Sequence, residues 1–303
     1  MRLNFPFLNG AQNKTLFIIG NGFDLYHDLL TKYKHFYSWL ILNGHEQFAA
    51  DLQIICPKLD NNIETLWSNF EKALGNYDLK TAYQYFYKSP DELLGDNKYK
   101  IASLSASDNV RNLCKKIRPL IKEWIRQINT QNIKPKNELS KESWYLTFNY
   151  TRTLEDCYNI PKEHVCHIHG CVDDYEELVT GHDYKRILKI YEAKSDEEEI
   201  AKQKIINTFN NLAKNKKEQL EKNETFFESL PEIKHIVVFG HSLADIDYEY
   251  FGKILTLTKD NAIWHFSIQS NNIEDENRIE AFKKWCEQSA NHFCINVGEN
   301  IKL

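Results

Sequence analysis

Short runs of β-branched and aromatic residues recur at Thr15–Ile19, Trp144–Phe148, Val165–Ile168, Ile236–Phe239, Ile263–Ile268 and His292–Val297. Several end in Gly or Asn, and each predicts a strand. Between them, apolar positions recur at helical spacing. Lys32–Leu42 follows a candidate cap at Thr31. Ile63–Leu74 sets Ile63, Leu66, Trp67, Phe70 and Leu74 on one face. Val110–Ile128 does the same with Val110, Leu113, Cys114, Ile117, Ile121 and Trp124, and Pro119 is placed to kink or split it. Glu197–Lys222 is highly charged with sparse apolar positions. A solvated face is the usual use of such a pattern, with a lid or a partner-binding helix as the alternatives. Ser89–Asn109 is polar and irregular and reads as a mobile loop.

Strands alternating with helices predict an α/β fold with a mostly parallel sheet. Two stretches, approximately 32–140 and 183–230, read as almost entirely helical. Neither holds enough strand to build its own core, so both read as insertions on a single domain spanning 1–303.

Composition excludes little. A net charge of −5 offers no basic footprint for nucleic acid. The seven cysteines, Cys56, Cys114, Cys157, Cys166, Cys171, Cys286 and Cys294, are odd in number and scattered, unlike a disulfide framework. No apolar run is long enough to span a bilayer. The first ten residues, MRLNFPFLNG, lack the apolar core of a signal peptide. Together these predict a cytoplasmic protein with reduced thiols and no membrane partner.

Chemistry concentrates where the strand candidates end. After Thr15–Ile19 the chain breaks into Gly20-Asn21-Gly22, with Asp24 two positions on. Two glycines flanking one residue permit a sharp turn, and a phosphate can approach where no Cβ blocks it. A bare Gly-x-Gly is more often a turn that binds nothing. Asn149 stands at the tip of the next strand, where an amide can hold a ribose hydroxyl or orient a water, or simply cap the helix starting near Thr151. His164, Cys166, His167, His169 and Cys171 fall within eight residues. Strand alternation would put His167 and His169 on one face and Cys166 on the other, which argues against zinc. His169, followed by Gly170, is better suited as a general base, or else is a histidine satisfied by backbone carbonyls. At a strand tip it should bear little packing load. In Gly240-His241-Ser242 a strand again runs into Gly and a hydroxyl, suited to a ribose or phosphate. Asp245 and Asp247 read as first-turn acids of the following helix.

Ile19-Gly20-Asn21-Gly22-Phe23-Asp24-Leu25, with Thr31-Lys32-Tyr33 and Phe36, resembles the signature of the AbiH family of phage abortive-infection proteins. Trp67-Ser68-Asn69-Phe70-Glu71, Asn149-Tyr150-Thr151, His169-Gly170 and Gly240-His241-Ser242-Leu243 resemble it too. More distantly, the same islands are similar to the sirtuin core: a Gly-x-Gly turn, an Asn, a His-Gly and a Gly-x-Ser-Leu turn in the same order. Asn149 and His169 stand 20 residues apart, as in sirtuins. The paired CxxC zinc module of sirtuin deacetylases is absent, which argues against deacetylation, and Thr151 stands where sirtuins carry Asp.

The resemblance implies a Rossmann-like, sirtuin-like domain that cleaves NAD or a related nucleotide at its glycosidic bond. Gly20, Asn21 and Gly22 would cradle phosphates, with Gly240, His241 and Ser242 on the far side of the ribose. Asn149 would hold ribose or water, and His169 would be the base. Asp24, ahead of Glu71, would stabilise the oxocarbenium-like charge. No tightly bound cofactor or metal is expected. A phage-derived trigger, a partner protein and self-association are compatible with this reading. One alternative is a nucleotide sensor without turnover. Another is a metal-dependent nuclease, which would need a carboxylate cluster and basic contacts that the sequence does not display.

Overall fold

The computed structural model describes residues 5, 8, 10–56, 67, 69–89, 93, 97–175, 177–183, 191–258, 262–269, 272–289 and 293–303. The chain divides into two compact units. A sheet unit comprises Met1–Thr31, Ile125–Leu178 and Asn215–Leu303, and a helical unit comprises Lys32–Trp124 and Val179–Lys214.

Among the described residues the sheet unit carries seven strands: β1 (Thr15–Ile19), β2 (Trp144–Thr147), β3 (Val165–His167), β4 (His235–Phe239), β5 (Ile263–Ile268), β6 (Asn296–Val297) and β7 (Ile301–Lys302). Their order is β3-β2-β1-β4-β5-β6, with β7 also beside β5. Every pairing is parallel. This is the α/β, Rossmann-like class that the alternation predicts, in a Rossmann strand order.

The core explains the order. All five positions of β1 are buried, as a central strand covered on both faces requires. Leu16 and Ile18 pack with Ile236, Val238, Tyr250, Phe251 and Phe282. The last three come from α12 (Tyr248–Thr258) and α13 (Ile273–Gln288). Phe17 and Ile19 pack into the opposite core with Phe23, Leu154, Tyr158 and Phe239. There the covering helices are α1 (Asn21–Tyr26) and α8 (Thr153–Tyr158).

The helical unit holds α2 (Tyr33–Leu42), α3 (Glu46–Ile55), α4 (Phe70–Leu74), α5 (Leu79–Phe86), α6 (Lys98–Lys115) and α9 (Asp196–Asn210), and α7 (Ile117–Arg126) begins in it. Four sequence expectations need correction. Thr31 does not cap α2; Lys32 does, because the Thr31 hydroxyl is drawn to Asn21 Oδ1 at 2.5 Å. The helix expected over Val110–Ile128 is two helices that part at Lys116, not at Pro119. Pro119 lies in the first turn of α7, where its missing N–H costs nothing.

Much of the supposed loop Ser89–Asn109 is helix from Lys98 onward. Its buried positions include Ala102, Ser103, Ala106 and Ser107, small residues that let α6 pack against α9 but carry no strong apolar signal. The charged stretch Glu197–Lys222 breaks after Asn210 and resumes as α10 (Lys216–Lys222), which α11 (Glu224–Ser229) follows. Helix α9 is no solvated face, since Ala201, Lys202, Ile205 and Phe209 are buried and Phe209 stacks on Tyr77 at 3.6 Å. Ile63, Leu66, Ser68 and His292 lie outside the described residues.

All seven cysteines are free thiols, six of them buried. No helix among the described residues is long and apolar enough to cross a membrane.

Candidate active site

In an open parallel sheet, ligands bind beyond the carboxyl ends of the strands, beside the point where the strand order reverses. Here that point lies between β1 and β4. Backbone bonds carry the pairing one residue past the strands: Gly20 N–H to Phe239 O (3.0 Å), Phe148 N–H to Ile19 O (2.9 Å) and Ile168 N–H to Thr147 O (3.1 Å). The four segments singled out in the sequence therefore emerge side by side from β1, β2, β3 and β4.

The β1 and β4 exit turns close on each other. Gly22 N–H donates to Gly240 O at 2.8 Å. A Cβ on Gly20 would stand 2.4 Å from His241 Cα, and one on Gly22 would stand 2.6 Å from Gly240 Cα. The glycines are thus required by backbone meeting backbone, and the Gly22 N–H is already engaged. Asn21 is engaged as well: its Nδ2 donates to Thr31 O at 3.1 Å while its Oδ1 accepts from the Thr31 hydroxyl. The β4 turn is clamped from outside. Arg278 donates through Nη1 to His241 O (2.8 Å) and through Nη2 to Ser267 O (2.9 Å), and Gly240 N–H donates to Ser267 Oγ (2.9 Å). Ser242 is exposed at the tip.

Asn149 caps no helix; Arg152 is the N-cap of α8. Instead the Asn149 amide reaches across to β1, where Nδ2 donates to Gly20 O at 3.1 Å. It also bonds the Asp24 carboxylate. Both partners accept, so the NH₂ faces them and Oδ1 is turned away from both.

Asp24 is 1% exposed and accepts the hydroxyls of Thr151 and Thr153, each at 2.7 Å. Burial raises its pKa to about 6, against the pull of those hydroxyls and of Asn149. The carboxylate is thus buried behind Asn149 and the two threonines. An acid whose folded pKa lies above its unfolded value takes up a proton on folding. Its charge opposes folding at neutral pH and ceases to do so as pH falls through about 6 toward about 4. Asp24→Asn should accordingly stabilise the fold at pH 7 by on the order of 1–2 kcal/mol, part of the gain being lost to one misdirected hydroxyl. Urea unfolding should show that gain shrinking toward pH 4.5. Equal effects at both pH values would refute the assignment.

The sequence pattern misplaces His169. Strand β3 ends at His167, and Ile168-His169 turn before Gly170, whose φ is +79°. His167 and His169 consequently part. His167 lies between Asn149 O (3.0 Å) and Glu155 Oε1 (3.1 Å). Burial lowers its pKa, but the Glu155 carboxylate more than offsets this and holds it above the ordinary value, while Glu155 is held below its own.

His169 turns instead into the aromatic core, edge-on to Phe148 (5.1 Å) and beside Tyr250 (5.6 Å). At 4% exposure it does bear packing load. Its Nε2 is 3.9 Å from Asp247 Oδ1, and the other oxygen, Oδ2, is 3.6 Å from His241 Nε2. Asp247, which the sequence suggests as a first-turn acid, is 6% exposed and faces both histidines. No period distinguishes it from Asp245; only the path of the turn into α12 does.

The remaining members of the His/Cys cluster go to separate partners. His164 Nδ1 meets Lys141 O at 2.7 Å, and Cys166 Sγ donates to Asn223 Oδ1 at 3.3 Å. Burial pushes the Cys166 and Cys171 thiols up to about 12. Among the described residues no group of three His, Cys, Asp or Glu is arranged to hold a metal. Glu71 belongs to the helical unit, where Lys214 Nζ (2.9 Å), the Tyr33 hydroxyl (3.1 Å) and the Thr180 hydroxyl (3.3 Å) engage its carboxylate. A polar cavity of about 320 Å³ is lined by Arg126, Asn129, Thr151, Arg152, Asp156 and Asp173.

No curated protein and no solved structure matches this chain. A family model described as bacteriophage abortive infection AbiH matches residues 16–268. That span runs from β1 through β5, and it includes every exit turn described above and both histidines that face Asp247. The chain belongs to the AbiH family of bacteriophage abortive infection proteins.

Proposed function

We propose that this chain acts in abortive infection by hydrolysing NAD, or a related nucleotide, at its N-glycosidic bond. The observation that carries the reading is Asn149. Its amide is pinned by Gly20 O and Asp24, so that Oδ1 is presented at the carboxyl tip of β2, next to the β3 tip that bears His169. Chemistry of this kind needs an acceptor that orients a hydroxyl or a water and a base that takes its proton. The base is His169.

As the C1′–N bond breaks, its electron pair leaves with nicotinamide. A water oxygen bonds C1′, and its proton passes to the His169 imidazole. The products are nicotinamide and ADP-ribose. Asn149 Oδ1 accepts a hydrogen bond from the water or from a ribose hydroxyl. The buried Asp24 charge favours the cationic character that develops at C1′. The exposed Ser242 hydroxyl lies where the ribose-phosphate would pass. The Gly22 N–H, engaged by Gly240 O, is assigned no phosphate.

The test is incubation of the purified chain with NAD, with and without phage lysate, and chromatography for nicotinamide and ADP-ribose. Wild type should release both, and Asn149→Ala and His169→Ala should not. A wild type that binds NAD by calorimetry but leaves it intact, lysate included, would replace hydrolysis with a sensing role.

A further inference from the structure

Three charged or ionisable side chains meet between the β3 tip, the β4 tip and α12, and no role in the reaction has yet been given to two of them. His241 is 3% exposed, and its Nδ1 accepts the Leu243 N–H at 2.9 Å. A nitrogen that accepts carries no proton, so the ring is neutral with its hydrogen on Nε2. That Nε2 is 3.6 Å from Asp247 Oδ2. The arrangement is held under strain. Leu243 has φ +52°, the left-handed region that a leucine rarely enters. Phe148 meets the His241 ring edge-on at 4.3 Å, and Arg278 holds the His241 carbonyl. A strained backbone that fixes one imidazole tautomer beside a buried carboxylate is a device for orienting charge.

The other carboxylate oxygen, Oδ1, faces His169 Nε2 at 3.9 Å, and that Nε2 is buried. A buried nitrogen facing a carboxylate is the one that holds the proton.

Resting on the hydrolytic reading above, we propose that Asp247 is a positioning residue: it holds His169 in the Nε2–H tautomer so that Nδ1 is the base, and His241 keeps Asp247 aimed. When Nδ1 takes the proton, the ring becomes an imidazolium whose Nε2–H still faces Asp247, and the carboxylate stabilises it without being protonated. The 3.6 and 3.9 Å separations are longer than hydrogen bonds, and catalytic hydrogen bonds are commonly long before a ligand is bound. Asp247→Asn keeps the shape and removes the charge. An amide can satisfy either histidine tautomer, so the bias on His169 disappears.

The full chain labelled with ¹⁵N-histidine, read by long-range ¹H–¹⁵N correlation, tests this directly. Wild type should show His241 and His169 both as Nε2–H, and Asp247→Asn should shift His169 toward Nδ1–H with an unchanged melting profile. In the NAD assay the same variant should lose about 10²-fold or more in kcat while KM moves little. A wild-type His169 found as Nδ1–H overturns the proposal, even if the variant proves unable to fold. So does an Asp247→Asn spectrum identical to wild type. If the tautomers come out as stated but wild type consumes no NAD, hydrolysis fails and the positioning role stands.

Discussion

Replacing Gly240 with alanine should cost on the order of 3–5 kcal/mol of folding stability, a large share of what a domain typically has. Two effects add. Gly240 sits at φ +67°, where an L side chain is strained. Its Cβ would also lie 2.2 Å from Phe23 N, 2.5 Å from Gly22 C and 2.7 Å from Gly22 Cα. All three are backbone atoms of the opposing turn, and that turn is fixed by the Gly22 N–H to Gly240 O bond. Nothing can swing aside. Gly44 supplies the comparison: it has φ +78° but nothing within 4 Å of the added Cβ. Gly44→Ala should therefore cost only the conformational strain, about 1 kcal/mol. Urea midpoints of the two variants separate the contact from the strain. Equal losses would mean that the β1 and β4 turns do not close on each other as described.

The largest expected effect on activity comes from His169. Loss of a general base lowers the rate by about 10²–10⁴-fold. Because the ring packs against Phe148 and Tyr250, alanine would also open a cavity, so His169→Gln is the cleaner probe. It should abolish nicotinamide release and leave the unfolding midpoint close to wild type. Asn149→Ala should lose activity on a similar scale. In the proposed reaction the two residues serve one proton transfer, so the double variant should be little worse than the poorer single one. Additive losses in the double variant would separate the two side chains, and a His169→Gln enzyme as fast as wild type would remove the histidine from the reaction. Asn149→Asp should be more damaging still, because a carboxylate would then face Gly20 O and the buried Asp24.

Most of the sheet was legible from the chain because its strands are buried on both faces. Thr15–Ile19 is an unbroken apolar and β-branched run, Ile263–Ile268 is interrupted only by His265 and Ser267, and both strands fall on those bounds. Strand β7 was not legible, since two residues hold no pattern. Helix α6 was obscured for a different reason: its packing face is built from Ala and Ser, whose contribution is their small size. The break between α9 and α10 was hidden because a continuous run of charges looks the same whether or not the helix beneath it turns.

The amino-acid sequence alone determined the α/β class, the family, and the four segments, with Asn149 and His169 among them, that end at strand tips. Local pattern suffices there, because a buried parallel strand must be apolar and its exit must turn. What each side chain does at those tips was decided by the tertiary structure. Gly20 and Gly22 were expected to leave room for a phosphate, and what requires them, with Gly240, in the structure is that two backbones meet. Asp24 turned out to be a buried charge behind Asn149. His169 left the face predicted for it because β3 ends one residue early. Asp247 joined the histidines, although its own neighbours suggested a helix cap. In each case the partner lies on another strand or helix, and local periodicity carries no information about which distant backbone or charge a side chain will meet.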